Sequence, residues 1–279
     1  MANSAARYTL DDLMVLMRVL RDDQYGCPWD VDQTWATIVP HTLEEAYEVA
    51  DAVERRAFDE LPGELGDLLF QVVYYARFAE EEGRFDLHDV VDRLTAKMIA
   101  RHPHVFPEGS LDSRREGAPA RALTQAEVGH LWEARKRRER TERIEEPRRA
   151  SQLDDIPLTL PALSRSQKLS KRASQVGFDW HDHQGVLAKV HEELAEVEEA
   201  IATGDLSAIK DELGDLLFIT ASLCRHFNID AEDALRQGNH KFERRFRAME
   251  PALNASERRD VAYLDRIWAD AKARVKADQ

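Results

Sequence analysis

The sequence has few cysteines, no long apolar run and no excess of positive charge. Its two cysteines, Cys27 and Cys224, form no Cys-x-x-Cys pair, so neither a disulfide framework nor a cysteine zinc site is expected. No apolar run reaches the length of a membrane-spanning helix, and the first residues lack the features of a signal peptide. The formal net charge of −14 disfavours nucleic acid and anionic membranes as partners. We therefore predict a cytoplasmic protein that binds neither.

Strand-like alternation is nearly missing as well, and helical periodicity dominates the chain, which predicts an all-α fold. The helices predicted for the first half run from about Thr9 to Asp22, Thr42 to Arg56, Glu60 to Glu82, Leu87 to Arg101 and Gln125 to Arg143. Those predicted for the second half cover about 162–176, 186–203, 206–226, 231–249 and 261–276.

The two halves of the chain repeat each other. A shift of 148 positions lays Glu44–Phe78 on Glu192–His226, with 13 of 35 residues identical. This repeat predicts two tandem four-helix units, each with an added C-terminal helix that carries Trp132 or Trp268. We place the first domain at residues 1–143, a linker without apolar periodicity at 144–152, and the second domain at 153–279.

Each copy contains Glu-x-x-Glu, fifteen further residues and then Glu-x-x-Asp. Residues three apart share a helix face, so both pairs can face each other across an antiparallel hairpin. Four close carboxylates raise one another's pKa, and oxygen-only ligands suit Mg²⁺, with Mn²⁺ as a substitute. An isolated Glu-x-x-Glu is usually a solvated stripe, but the second pair lies in an apolar helix that is expected to be largely buried. The candidate ligands are Glu193, Glu196, Glu212 and Asp215 in the second copy, and Glu45, Glu48, Glu64 and Asp67 in the first.

Basic side chains recur at matching positions of the next helix in each copy. Lys241 and Arg245 lie four residues apart, with Asn239 nearby, and they match Lys97 and Arg101 of the first copy. Cations on one helix face can hold phosphate groups. A solvated basic stripe is the alternative, and the recurrence in both copies favours phosphate binding.

Five segments form a distinctive set of motifs: Cys27-Pro-Trp-Asp30, Thr42-Leu-Glu-Glu-Ala-Tyr-Glu48, Gly63-Glu-Leu-Gly-Asp-Leu-Leu-Phe70, Gly177-Phe-Asp-Trp180 and Asn239-x-Lys241-Phe-Glu-Arg-Arg-Phe246. Together they closely resemble the bacterial MazG nucleoside triphosphate pyrophosphohydrolases, over nearly the whole chain and in order. The resemblance implies the all-α NTP pyrophosphatase fold and a homodimer. It also implies hydrolysis of (d)NTPs, ATP among them, to the monophosphate and pyrophosphate. By the same resemblance, the second-copy carboxylates look like Mg²⁺ ligands, and the nucleotide contacts look like Lys189, Lys241, Arg245 and Trp268.

The charges of these residues suggest how such a reaction would proceed. Water would attack the α-phosphorus, and the metal, Lys241 and Arg245 would hold the departing pyrophosphate. Glu192 or a ligand glutamate such as Glu193 would be the general base, and the sequence does not decide between them.

We expect the second copy to be the main catalytic unit. Lys189 precedes Glu193 by one turn, whereas its counterpart in the first copy is His41, mostly neutral at pH 7 in its ordinary state. The first copy is then a weaker or vestigial site. Two alternatives stay open: a nucleotide-binding helical regulatory module without turnover, and a narrow dUTP- or dCTP-specific pyrophosphatase. The preferred base and sugar, the physiological substrate, first-copy turnover and any regulatory partner do not follow from the sequence.

Overall fold

The computed structural model describes residues 7–114, 124, 127–129, 131, 132, 134, 135, 139 and 151–277. All regular structure within these residues is helical, which confirms the all-α prediction. The chain divides into two compact units, Met1–Arg143 and Ile144–Gln279. Of the predicted linker at 144–152, only the last two residues are described. In the described ranges, no helix combines the length and the apolar character that a membrane crossing needs.

The first unit contains α1 (Leu10–Leu20), α2 (Pro28–Val31), α3 (Trp35–Arg55), α4 (Leu61–Glu81) and α5 (Leu87–Arg101), then a 3₁₀ turn (Leu111–Ser113). The described residues between 127 and 139 are helical as well. Thr9 and Asp12 form a capping box at the start of α1, and Gly83, with φ of +65°, follows the end of α4. These helix ends agree with the sequence prediction because a local signal fixes each of them.

Helix α3 begins earlier than the sequence predicted. Its first residue is Trp35, capped by Thr34, whereas the prediction was a start near Thr42. Pro40 lies inside the helix, where its missing N–H leaves the helix one hydrogen bond short. The Thr42 hydroxyl donates to the Ile38 carbonyl at 3.0 Å, as a helix-interior threonine does. The prediction was wrong because a threonine before glutamates marks a helix start only when the preceding turn is not already helical.

The α3–α4 hairpin is the centre of the first unit. Helix α3 ends at Arg55 and α4 begins at Leu61, so the short connection brings the two helices side by side, and α1 packs on α4. The buried core draws side chains from α1, α3, α4 and α5, namely Met17, Ile38, Val73, Tyr74, Ala76, Phe78 and Leu87. This core holds the glutamates of α3 opposite those of α4.

The second unit repeats this arrangement with α6 (Ala162–Ser174), α7 (His183–Thr203), α8 (Leu206–His226), α9 (Ala231–Asn254) and α10 (Val261–Ala277). Helices α7 and α8 form a hairpin, α6 packs on α8, and α9 packs mainly on α10. Asp182 caps α7 and Gly204, with φ of +73°, ends it. The sequence predicted that α9 ends near residue 249, but it continues to Asn254 with Pro251 inside. A proline near the end removes only one helical hydrogen bond, so the helix continues past it.

Helices α4 and α8 are less buried than their apolar sequences predicted. Leu65 and Leu69 on α4 are 49% and 38% exposed, and their counterparts Leu213 and Leu217 on α8 are 43% and 59% exposed. The same positions are therefore uncovered in both units. The apolar surface of each helix extends round more of its circumference than the neighbours within one unit cover.

Candidate functional site

Three carboxylates meet in the hairpin of the second unit. Glu193 and Glu196 lie three residues apart on α7, and Glu212 lies on α8. One ligand oxygen from each lies within 4.8 Å of the others. Glu193 is buried, at 6% exposure, and the other two are half-buried. The hairpin thus brings together three of the four second-copy carboxylates that the sequence singled out.

Lys189 lies directly against this cluster. Its Nζ donates to Glu192 Oε1 at 2.8 Å and lies at the same distance from Glu193 Oε1. Hydrogen bonds to Glu192 and Glu193 raise the pKa of Lys189, so this side chain stays charged at neutral pH. The contact follows from helix geometry, because residues three and four apart lie on one face.

The cluster holds more negative charge than Lys189 balances. Burial raises the pKa of Glu196, a hydrogen bond with Glu193 and the charges of Glu193 and Glu212 raise it further, and the charge of Lys189 opposes them. Glu193 Oε2 is buried and has no hydrogen-bond partner among the described residues. A buried carboxylate oxygen is costly unless a donor or a cation satisfies it. This open acceptor and the oxygen-only ligand set fit a divalent cation.

The first unit contains a second three-carboxylate group. Glu45 and Glu48 of α3 and Glu64 of α4 offer ligand oxygens within 4.8 Å of one another. Burial raises the pKa of Glu45, and the charges of Glu48 and Asp67 raise it further. The repeated hairpin therefore produces the same concentration of negative charge in both units.

The basic neighbour differs between the two groups. At the position of Lys189 the first unit has His41, whose Nδ1 lies 3.7 Å from Glu44 Oε2. The ring of Trp29 meets the His41 ring edge-on, with centroids 5.9 Å apart. The first unit therefore has an imidazole where the second has an ammonium group in contact with a buried glutamate.

The aspartates that complete the two patterns lie outside the close groups. Asp67 and Asp215 are both exposed, and neither contributes an oxygen to the sets that lie within 4.8 Å. Asp67 is near enough for its charge to raise the pKa of Glu45. Each aspartate is three residues beyond a clustered glutamate, so it projects from the same side of its helix.

The predicted phosphate-binding residues of the second unit are not joined to its carboxylates. Asn239 and Lys241 are exposed on α9, and no hydrogen bond or ion pair links them to Glu193 or its neighbours within the part of the chain that the structure describes. Arg245 Nε is buried without a hydrogen-bond partner among the same residues. Trp268 of α10 packs against Phe242, with ring centroids 5.5 Å apart.

Their counterparts in the first unit have different contacts. Arg101 donates from Nη2 to Glu139 Oε2 at 2.5 Å and from Nε to Oε1 at 3.2 Å. Its guanidinium lies 5.6 Å from the ring of Trp132. Lys97 lines an adjacent cleft. In the first unit, therefore, this arginine already has a carboxylate partner.

A buried anchor that the sequence analysis did not identify holds the loop before α3. The Tyr74 hydroxyl donates to Asp30 Oδ1, and Asp30 is only 7% exposed. Arg21 Nη1 donates to the carbonyls of Asp30 at 2.5 Å and Gln33 at 3.1 Å. Burial and the hydrogen bond to Asp30 raise the pKa of Tyr74. The polar tyrosine in an otherwise apolar stretch of α4 was the available signal.

The loop before α7 has a different anchor. Asp179 accepts from Arg225 Nη2 at 2.5 Å, and His226 Nε2 lies 3.2 Å from it. Burial raises the pKa of Asp179, but the hydrogen bonds and charge of Arg225 outweigh burial and hold this pKa below its ordinary value. Arg225 Nε also donates to Ser170, which shares a buried hydrogen bond with Ser222. Serine and arginine three residues apart in an apolar helix could have indicated this network.

Comparison with known proteins gives both units the same assignment. A family model described as the MazG nucleotide pyrophosphohydrolase domain matches residues 33–106 and 181–249. The chain is 46% identical over 269 residues to the nucleoside triphosphate pyrophosphohydrolase of Escherichia coli K12, which covers 94% of this chain and 97% of that protein. It is 37% identical over 266 residues to the nucleoside triphosphate pyrophosphohydrolase/pyrophosphatase MazG of Thermotoga maritima, with 94% and 95% covered. A Mycobacterium tuberculosis protein with the same name as that of E. coli is 35% identical over 174 residues, covering 62% of this chain and 47% of that protein.

Proposed function

The chain belongs to the MazG nucleotide pyrophosphohydrolase family, and we propose that it hydrolyses (d)NTPs, ATP among them, at the α-phosphorus. A water oxygen forms the new bond to this phosphorus, the bond to the α,β-bridging oxygen breaks, and the monophosphate and pyrophosphate are released. The second unit is the main catalytic unit. The observation that carries this assignment is its three-carboxylate group, in which buried Glu193 contacts Lys189.

Mg²⁺ is the proposed cofactor, with Mn²⁺ as a substitute. Glu193, Glu196, Glu212 and Asp215 would hold it, and the open Oε2 of Glu193 is the observation in favour. When bound, it supplies positive charge to phosphate oxygens that the carboxylates would otherwise repel. At this concentration of carboxylates, in a chain of net charge −14, a triphosphate needs such a local cation.

Three residues of α7 are proposed to handle the proton of the attacking water. Glu192 and Glu193 are the candidate acceptors, and Lys189 holds both carboxylates in place at 2.8 Å. Because its ammonium group also opposes the negative charge of the cluster, Lys189 favours approach of the substrate phosphates.

The α9 and α10 residues are proposed to contact the nucleotide. Lys241 and Arg245, with Asn239 beside them, would hold the phosphates of the departing pyrophosphate, and Trp268 would contact the nucleoside. The buried Nε of Arg245, which has no hydrogen-bond partner among the described residues, supports a role in binding an anion.

We also propose a homodimer. The uncovered leucines of α4 and α8 recur at matching positions of both units. Contiguous apolar surface of this kind is typical of a protein–protein interface. A second copy of the same chain is the proposed partner for these faces.

Nucleotide binding without turnover is a second candidate for the first unit alone. The imidazole of His41 stands in place of Lys189, and Arg101 is already paired with Glu139. Both differences leave the first unit with fewer cations than the second at the positions proposed to serve the reaction, which disfavours turnover there. The cytoplasmic location and the absence of nucleic-acid binding remain predictions from composition.

Product identification tests the proposal. Purified protein is incubated with each (d)NTP and Mg²⁺, and the products are separated by anion-exchange chromatography. We expect monophosphate and pyrophosphate, and no turnover after chelation by EDTA. Diphosphate and inorganic phosphate would contradict the cleavage position, binding without products would indicate a regulatory module, and turnover of dUTP or dCTP alone would indicate a narrow enzyme.

A further inference from the structure

A cleft lies in the first unit between α5 and the helical residues that follow residue 127. Its volume is about 710 Å³, within the range of roughly 300–1,000 Å³ that small-molecule sites occupy. Asp89, Arg93 and Lys97 recur every four residues along the α5 wall, and Arg135 and Glu139 stand on the opposite wall. None of the clustered glutamates of the first unit lines it. We call this feature the α5 cleft.

The two acidic groups of the α5 cleft already have partners. Asp89 Oδ2 accepts the backbone N–H of Asp86 at 3.0 Å as part of a helix cap. Glu139 accepts two hydrogen bonds from Arg101, and this pair is largely shielded from solvent. Arg101 already balances the charge of Glu139, so Asp89 is the one lining carboxylate of the described residues that is left to oppose Arg93, Lys97 and Arg135.

Two cations of the α5 cleft lack partners among the described residues, and the third has one distant ion pair. The side chains of Arg93 and Lys97 make no hydrogen bond or ion pair with any residue that the structure describes. Arg135 Nε is buried without a hydrogen-bond partner in the same residues and lies 3.9 Å from Glu139 Oε1. Three guanidinium or ammonium groups around one cleft, in a chain of net charge −14, favour an anion with more than one charge.

The rest of the α5 cleft is apolar. Phe85, Val90 and Leu94 line it together with two alanines of α5. Arg93 and Lys97 are four residues apart, so their attachment points are separated by about 6 Å along the helix. At this separation, Arg93 and Lys97 can each reach one of two successive phosphate groups of a polyphosphate. The apolar wall suits a planar organic group.

The α5 cleft is not a simple duplicate of the predicted second-copy site. A shift of 144 positions lays Lys97 on Lys241, but Arg93 on Gln237. The second unit thus has an uncharged amide where the first has a guanidinium that pairs with no described residue. Arg93 thus gives the first unit a cation that the second unit lacks at this position. The first unit is also the one that has His41 where the second has Lys189.

We infer that the α5 cleft is a nucleoside polyphosphate-binding site, in which Arg93, Lys97 and Arg135 hold the phosphates and the Phe85 side holds the base or sugar. Binding there needs no divalent metal because the protein itself supplies the charge. The inference takes the ligand class from the proposed function, but it does not depend on turnover at either carboxylate group.

Calorimetric titration of the full chain in EDTA tests the inference. The probe is α,β-methylene-ATP, whose carbon bridge blocks cleavage, so a failure of the proposed hydrolysis would not affect the result. We expect saturable binding of one analogue per chain. Arg93→Gln, which places the residue of the second unit at this position, and Lys97→Gln should each weaken binding at least about tenfold. Arg84→Gln removes the same charge from an exposed position outside the cleft and should leave binding unchanged.

Three results would overturn the inference, provided that circular dichroism shows each variant to be folded. The first is equal affinity for the wild type and both cleft variants, and the second is an equal loss with Arg84→Gln. The third is binding of inorganic triphosphate that is as tight as binding of α,β-methylene-ATP, since the apolar wall would then contribute nothing. Arg135→Gln is the alternative variant if a change on α5 prevents folding.

Discussion

Lys189 contacts two carboxylates of very different exposure. The Glu193 side chain is 8% exposed, whereas that of Glu192 is 58% exposed, and both lie 2.8 Å from the same ammonium nitrogen. The spacing of these residues on α7 could be predicted from the sequence, because helix geometry decides it. Which glutamate is buried could not, because burial depends on how α8 packs. The same limit explains why Asp30 and Asp179 were missed, since their partners are distant in sequence.

Replacing Lys189 should impair turnover more than folding. Lys189→Gln leaves Glu193 buried without its cation and removes positive charge from the phosphate path, so we expect kcat/KM to fall by about 10²-fold. Release of pyrophosphate in a coupled assay measures it. Lys168→Gln, an exposed lysine on α6, is the matched control and should retain full activity. Equal losses in both variants would show that overall charge, and not the contact with Glu193, matters.

Glu196 links pH to stability in a direction that can be derived. Its pKa is raised in the folded chain, so the folded state binds more protons than the unfolded state, and stability from this group falls as pH rises above its ordinary pKa. Without metal at pH 7, Glu196→Gln should therefore raise Tm. The gain should shrink as pH falls through the ordinary glutamate pKa of about 4.3, because below it the glutamate is protonated in both states.

Metal should reverse the order of the Tm values of the wild type and Glu196→Gln. Adding Mg²⁺ should raise the wild-type Tm more than that of Glu196→Gln, because the variant has lost a ligand. Glu198→Gln lies on the other side of α7 and serves as the control in both conditions. A lower Tm for Glu196→Gln in EDTA at pH 7 would mean that the carboxylate stabilises the metal-free fold, contrary to this account.

At the scale of helices, local signals decided what the sequence could predict. The capping box at Thr9 placed the start of α1 correctly, and the left-handed glycine placed the end of α4. Helix α5 also spans the predicted residues Leu87–Arg101. The start of α3 was misplaced because Pro40 and Thr42 give start signals inside a continuous helix. The burial of α4 and α8 was overestimated because periodicity shows which faces are apolar, but not what covers them.

The uncovered faces of α4 and α8 predict a homodimer that a single charge can weaken. Wild-type protein should have a mass of about 64 kDa in light scattering, twice the 32.0 kDa of one chain. Leu217→Glu places a charge where 59% of the leucine is exposed in the single chain, and it should shift the equilibrium to the monomer. Leu206→Glu, at an 80% exposed leucine where α8 begins, is the control. Wild-type protein of about 32 kDa at micromolar concentration would exclude the dimer.

At the scale of the molecule, two similar units differ around similar carboxylate groups. The second unit combines the group with Lys189 and with Arg245, whose Nε has no partner among the described residues. The first unit combines it with His41 and an Arg101 bound to Glu139. Sequence repetition could predict the duplicated hairpins, because identical local patterns fold alike. It could not predict that Arg101 is paired, since Glu139 lies on a helix outside the repeated block.

The central claim is that turnover resides at the carboxylate group of the second unit. The most direct test compares Glu212→Gln with Glu64→Gln, each removing one clustered carboxylate from one unit, with pyrophosphate release measured in Mg²⁺ and folding checked by circular dichroism. We expect Glu212→Gln to abolish turnover and Glu64→Gln to retain most of it. An inactive Glu64→Gln together with an active Glu212→Gln would reverse the assignment, and a loss of about half in each would show that both units work.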